Sequence, residues 1–439
     1  MQNENLITHD PMDHLAQLIS SKKESDKAFL STFLSLSNYD RAKVIVELPD
    51  TYQKELCGML NDKKLAKFVN VMRTDDATDL MIILKEIDEV KWLRTIELLD
   101  TKLTTSIKLL MDYSEEESGS LMEIEIFTVT KNERIRDSMK RLGELIENHS
   151  LEHITNVFLV DKEYHLIALF PLATIATVDD ALTYEEIYDS ASQPISVHSR
   201  SSVYEAARLM KRYDLHVLPV INKNGRLLGR ITHDDILDYI QEDATKQMYG
   251  LSQVHPDEEI EESVIETVRG RAFWLFINLV NVTLVSIVIG FFEHALQNMV
   301  ALAVLMPIVA NMGGTSSVQT LTVIVRQMAL GEIKWKNAAP TLLKEFKIAF
   351  LNGVFFALLA AIFAYVRFSS YYISGVMAAA MLVTFVFAGI LGAYVPFMLK
   401  AMKIDPAIAS SAIVITLIDM IGFFSFLWFA TMWIPGING

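Results

Sequence analysis

The chain has 439 residues, enough for two to four domains at about 100–200 residues each. Its 39 Lys and Arg against 54 Asp and Glu leave a net charge of −15, which argues against a nucleic-acid partner, because no excess of cations is present to neutralise phosphates. Cys57 is the only cysteine, so a disulfide framework and a thiolate cluster for zinc or iron are both excluded.

The averages conceal two materials. Residues 1–270 hold 49 acidic and 30 basic side chains (net −19), whereas residues 271–439 hold 5 and 9 (net +4). No apolar stretch follows a basic region in residues 1–38, so no secretory signal is expected, and the acidic part is expected to begin and stay in the cytoplasm.

From Asn38 to Met111 the chain alternates apolar runs of helical period with short acidic breaks, as in DRAKVIVELPD and TYQKELCGML. Units of about 12–16 residues predict a stack of short helices whose hand stays open. Its many carboxylates read as a solvated face. From about Tyr113 the pattern becomes strand, helix, strand. IFTVT, a helix around 135–147 and NVFLVDKEYHLIALFPL form one unit; PISVH, VYEAARLMKRY and HVLPVINKNGRLLGRITHDDILDYI form a second. Asn224 and Gly225 predict a tight turn between two apolar strands. The two units lie about 70 residues apart and read as an internal repeat.

A connector follows in which Asp257, Glu258, Glu259, Glu261, Glu262 and Glu266 crowd together. It is expected to be an amphipathic helix, either simply solvated or responsive to a divalent cation that relieves its self-repulsion. Five nearly uncharged stretches come next, at 272–292, 295–325, 348–366, 368–399 and 406–433, each near the roughly 20 residues that cross a bilayer as a helix. Lys and Arg gather before the first span, between the second and third, and between the fourth and fifth, while only Arg367 lies opposite. The positive-inside rule therefore puts the N-terminal half in the cytoplasm and the tail outside.

Asp419 sits near the middle of the fifth span. A lone carboxylate there needs a partner, water or a cation, so it is a candidate for a cation pathway, with a protonated structural Asp as the alternative. In the second span, Pro307 is expected to interrupt the helix and Gly313 and Gly314 to loosen it, beside Thr315, Ser316, Ser317 and Gln319. Freed carbonyls would line a hydrated pore; the small residues equally suit close helix packing.

The strand-helix-strand repeat resembles a tandem CBS-domain pair. Such pairs commonly bind ATP or another adenine nucleotide, and the resemblance points at Gly229, Thr232 and Asp235 in GRITHDD, where a hydroxyl and a carboxylate would hold a ribose. The order of helical N-domain, CBS pair, acidic connector and five spans resembles the MgtE family of magnesium channels over nearly the whole chain. Ser-Gly-Ser-Leu-Met at 118–122, KRYDLHVLPV at 211–220, PIVANMGG with Gln319, Thr322 and Arg326, GEI at 331–333, DPAIAS at 405–410, and Asp419 with Gly422 carry the likeness.

The resemblance implies a multi-domain fold. Its parts would be an all-α helical N-domain (1–112), an α/β tandem CBS pair (113–245, as 113–180 and 191–245), an acidic connecting helix (246–270) and an all-α five-helix transmembrane domain (271–439). It implies a homodimer in the bilayer that conducts Mg2+ between protomers, not an enzyme. Asp419 would be the pore ligand and Asn311, Gly313, Gly314, Thr315 and Gln319 would line the pore. Asp214, Asp238, Asp243, Glu258, Glu259 and Asp405 would be cytosolic sensor carboxylates. Thr315 and Ser317 replace the family's Asn and Gly, which bears on selectivity, and Lys246 and Gln247 replace two carboxylates, which bears on gating by Mg2+. A transporter of Mn2+, Co2+ or an exchanged cation, and a CBS-based membrane sensor, remain the alternatives.

Overall fold

The computed structural model describes residues 11–435 except 149–150, 152–153, 256–257, 259–263 and 334–336, and gives the backbone alone at 11–13, 23, 266, 408 and 409. The chain separates into two units, Met1–Ile240 and Gln241–Gly439.

The first unit opens with short helices: α1 (Pro11–Glu24), α2 (Asp26–Ser35), α3 (Asn38–Val46), α4 (Asp50–Met59), α5 (Asp62–Val69), α6 (Thr74–Ile87), α7 (Glu89–Ile96) and α8 (Thr101–Leu110). Polar residues in the breaks start the next helix. Ser25, Ser37, Asn61 and Asp88 each accept a backbone N–H from three residues on, which satisfies an otherwise orphaned donor. The apolar sides meet in one core that includes Phe29, Phe33, Leu56, Phe68 and Leu84. Lys91 is buried with them, and its ammonium donates to the carbonyls of Cys57 at 2.5 Å and Gly58 at 3.0 Å, at the end of α4 where such carbonyls lack helical partners. Burial pushes the Cys57 thiol up to about 12, so it stays protonated and inert.

Two small sheets follow. The first repeat contains β1 (Thr128–Val129), α9 (Ile135–Glu147), β2 (Asn156–Val160), β3 (Leu166–Pro171) and α10 (Leu172–Ile175). The second contains β4 (Val197–His198), α11 (Val203–Tyr213), β5 (Val217–Ile221), β6 (Leu227–Thr232) and α12 (His233–Leu251). Each sheet pairs its first two strands in parallel across the intervening helix and adds the third as an antiparallel hairpin. The likeness extends to the turns. Asp161 Oδ1 accepts from the backbone N–H of Glu163 and of His165, and Asn222 Oδ1 does the same for Asn224 and Arg226. Both turns need a left-handed residue, Gly225 at φ +78° and Tyr164 at φ +67°, a conformation that is free only for glycine.

The connector differs from the single helix expected over 246–270. Residues 246–251 prolong α12, Gln253 turns at φ +59°, and the next described helix is α13 (Val264–Gly290). The sequence supplies a reason in Pro256, which biases His255 away from helical geometry. Glu259 and most of the acidic cluster lie outside the described residues.

Beyond α13 come a short α14 (Glu293–Asn298) and the long helices α15 (Val300–Ala329), α16 (Ala339–Phe368), α17 (Tyr371–Ala401) and α18 (Pro406–Trp433). Among the described residues, five helical stretches are long and apolar enough to cross a membrane: Thr267–Gly290, Val300–Ala329, Ala339–Phe368, Tyr371–Ala401 and Ser410–Trp433. The third begins well before the expected Ile348, and Phe368 closes it instead of opening the fourth; Ser369 takes φ +52° and Ser370 caps α17. Of these helices α17 is central, with 56% of its apolar window buried against 6% for the peripheral α13.

The second span departs from expectation most. Pro307, Gly313 and Gly314 all lie inside the continuous helix α15, so no unwound carbonyls arise there. Proline removes one hydrogen bond, that to the Ala303 carbonyl, while packing against α17 and α18 holds the rest. Small residues make that packing close. A Cβ at Gly392 of α17 would lie 2.8 Å from the Ser317 carbonyl oxygen of α15. Gly392→Val is therefore expected to lower the detergent-solubilised protein's stability by about 1–3 kcal/mol. Gly290→Ala, with nothing within 4 Å, should leave the melting temperature unchanged, and equal melting of the two variants would refute the close contact.

Candidate cation sites

Helical period decides which second-span residues share a side. Asn311, Thr315, Gln319 and Thr322 recur every three or four positions and line one wall of a cavity of about 900 Å3, a polar stripe about 16 Å long at 1.5 Å per residue. The other wall comes from α18, through Ile415 and Asp419. Asp419 is half-buried near the middle of its helix. Among the described residues no protein donor or cation reaches its carboxylate. A carboxylate facing hydroxyl and amide groups in this way can hold a cation through the waters of its own shell.

The expected lining set is thus brought together except for Gly313. A Cβ there would meet Thr384 Cγ2 of α17 at 2.3 Å and Ile418 Cγ2 of α18 at 2.8 Å, so Gly313 faces the helix packing and Gly314, one residue on, faces the cavity. Ser317 is also turned inward, fully buried, and donates to the Gly314 carbonyl at 2.8 Å. Of the two departures from the family motif, only Thr315 meets the cavity.

Glu345 escaped the sequence reading. It is buried in α16 and accepts from Thr320 Oγ1 at 3.3 Å. Setting the third span at Ile348 assigned it to a loop; the basic pair Lys344 and Lys347 around it hid the helix.

The expected sensor carboxylates are dispersed. Asp214 ends α11 in a left-handed conformation, and Asp238 lies on the exposed side of α12. Asp243 accepts from Gln247 Nε2 at 2.5 Å, Glu258 pairs with Arg271, and Asp405 caps α18 by accepting from Ala407 N at 2.8 Å.

A denser acidic group forms elsewhere. Asp75 in the first turn of α6, Glu123 in the segment before β1, and Asp235 in the first turn of α12 bring ligand-capable oxygens within 4.8 Å of one another. Glu123 accepts from Arg73 Nη1 at 2.7 Å and from Arg230 Nε at 2.6 Å. Asp235 Oδ2 accepts from Thr232 N at 3.0 Å and from the Thr232 hydroxyl. Asp75 Oδ1 is buried with no hydrogen-bond partner among the described residues, as is Oε2 of Glu125, which lies close to Glu123 in the sequence. Burial, then the Asp76 charge, push Asp75 up to about 8 against the pull of Arg73; burial also raises Glu123 and Asp235. Such crowding invites a proton or a cation. Asp75 and Glu123 are 48 positions apart in the sequence, with no local spacing to betray them. Gly229 serves the same group: a Cβ there would lie 2.4 Å from the Glu123 carbonyl oxygen, so the Glu123 backbone covers one of the residues expected at a nucleotide site.

Comparison with known proteins agrees with this order of parts. Three sequence-family models match: the MgtE intracellular N domain at residues 11–116, a CBS domain at 185–242, and the MgtE divalent cation transporter domain at 306–429. The magnesium transporter MgtE of Thermus thermophilus is 27% identical over 83% of this chain and 80% of its own length. That of Bacillus subtilis is 24% identical over 96% and 92%. A crystal structure of the cytosolic domain of the Mg2+ channel MgtE in complex with ATP is 26% identical, covering 53% of this chain and 90% of that one, at a TM-score of 0.47. With both MgtE domains and the CBS domain in sequence and five helices able to span a membrane, the chain belongs to the MgtE family of magnesium transporters and is a multi-pass membrane protein.

Proposed function

We propose that this protein conducts Mg2+ across the cell membrane through a channel-like pore formed by two copies, with its N-terminal half in the cytoplasm and its C-terminus outside. The observation that carries the reading is Asp419, at mid-helix, without a partner among the described residues and facing the polar stripe of α15. A carboxylate left without donor or cation in a lipid-spanning helix is costly unless an ion or water completes it. Among the described residues only α15 and α18 wall the cavity, so a second copy supplies the missing side and brings a second Asp419 toward the first. Two such carboxylates repel unless a divalent cation lies between them. Mg2+ keeps most of its waters, which suits the hydroxyl and amide groups of Asn311, Thr315 and Gln319. The driving force is the ion gradient with the membrane potential, and no covalent chemistry is involved.

The group of Asp75, Glu123 and Asp235 supports a regulatory half that reads cytosolic Mg2+. Its three carboxylates outnumber Arg73 and Arg230 even before Asp76 is included, and a divalent ion there would join α6 to the first turn of α12. This reading gives the neighbourhood of Thr232 and Asp235 to a cation; an adenine nucleotide would have to bind beside the Glu123 segment that already covers Gly229. A second cargo is favoured by one observation: Thr315, in place of the family's Asn, faces the cavity, which bears on discrimination against Mn2+ and Co2+.

Asp419→Asn is expected to abolish complementation of a magnesium-requiring strain at wild-type membrane abundance, and growth equal to wild type would refute the pore assignment. In proteoliposomes, millimolar Mg2+ should suppress Mn2+ and Co2+ flux; indifference to Mg2+ would assign the cargo to the other metals. Mg2+ should raise the thermal stability of the solubilised protein, by about 2.7 kcal/mol at a hundredfold excess over its Kd. Asp75→Asn should remove most of that gain, and an undiminished gain would place the sensor elsewhere.

A further inference from the structure

Three residues four positions apart, Asp243, Gln247 and Leu251, form one side of the last turns of α12. That side meets α15. Leu251 packs against Leu321 and Val325 of α15 and Ala407 of α18. Beside this apolar seat, Arg326 Nη1 donates to Gln247 Oε1 at 3.3 Å and stands 4.0 Å from Asp243 Oδ2. The Gln247 amide donates in turn to Asp243 Oδ2 at 2.5 Å, so it links the guanidinium to the carboxylate. Arg326 follows Thr322 by one turn, on the side of α15 that carries the polar stripe.

We propose that Arg326 is a positioning residue that holds the end of α12 on α15 by means of a cation the chain itself supplies, so that this docking needs no bound divalent ion. Neither Gln247, an amide, nor the residue before it, Lys246, a base paired with Glu242 at 2.9 Å, adds a second carboxylate that would demand a metal beside Asp243. The guanidinium and the Asp243 carboxylate are 40% and 27% exposed, which makes the polar part of the latch weak and sensitive to salt; Leu251 provides the part that is not. The importance of this docking for transport rests on the reading of the α15 cavity as the ion path, whereas the docking itself does not.

The test is disulfide cross-linking of Leu251→Cys with Val325→Cys in the full-length protein in liposomes, where buried Cys57 is the only other thiol. Cross-linking is expected to be equal in EDTA and in millimolar Mg2+. It should fall about two- to fivefold with Arg326→Gln, return with Arg326→Lys, and fall in high monovalent salt. Gln247→Glu, which replaces the amide donor with a second carboxylate beside Asp243, should lower it in EDTA and make it recover with Mg2+. Cross-linking that requires Mg2+ while Gln247 is in place, or that ignores both Arg326→Gln and Gln247→Glu, overturns the proposal. Cross-linking as expected in a protein that carries no Mg2+ flux would instead refute the transport reading and leave the latch standing.

Discussion

The close approach of α15 to α17 governs the membrane part of the molecule. Gly313 against Thr384, and Gly392 against the Ser317 carbonyl, bring two backbones nearer than larger side chains would allow. Within lipid, apolar burial contributes little to helix association, so contact between small residues carries it. Once that side of α15 is committed to packing, the 100° step of the helix sends Gly314, Asn311, Thr315 and Gln319 to the other side. The polar stripe is therefore a consequence of the packing, and it is positioned as rigidly as the packing is.

Across the cavity, Asp419 meets no counter-charge among the described residues, whereas the carboxylates outside the membrane part are handled in the opposite way. Glu123 is held between Arg73 and Arg230, and Asp235 is bound by the backbone and hydroxyl of Thr232. Asp75 remains partly unsatisfied. A fully paired acid is structural; an acid with a buried open oxygen is poised for an exchangeable partner, proton or metal. Asp75 meets that criterion, as does Glu125, while Asp419 stands apart because its carboxylate opens on the cavity and meets no donor among the described residues.

Local signals that are strong in sequence were carried into the structure. The acid-broken helical runs from Asn38 onward became helices, three of them capped where Ser37, Asn61 and Asp88 bind the next helix's free N–H groups. Hydropathy located five spans, and a single Asp at mid-span was conspicuous. Boundaries fared worse. Lys344 and Lys347 looked like the edge of a loop, which concealed Glu345 inside α16; Pro307 looked like a break, although neighbouring helices keep α15 continuous; and the connector looked like one helix, although it bends at Gln253.

The amino-acid sequence by itself determined the order of parts, the number of long apolar helices and the candidacy of Asp419, since composition, period and charge act over a few residues at a time. Only the tertiary structure decided that Gly313 packs while Gly314 lines the cavity, and that Asp75, Glu123 and Asp235 converge. It also decided that Gly229 accommodates a neighbouring backbone and that Arg326 meets the end of α12. Those facts depend on which side of each element is buried and on groups far apart along the chain, and no local pattern encodes a distance between them.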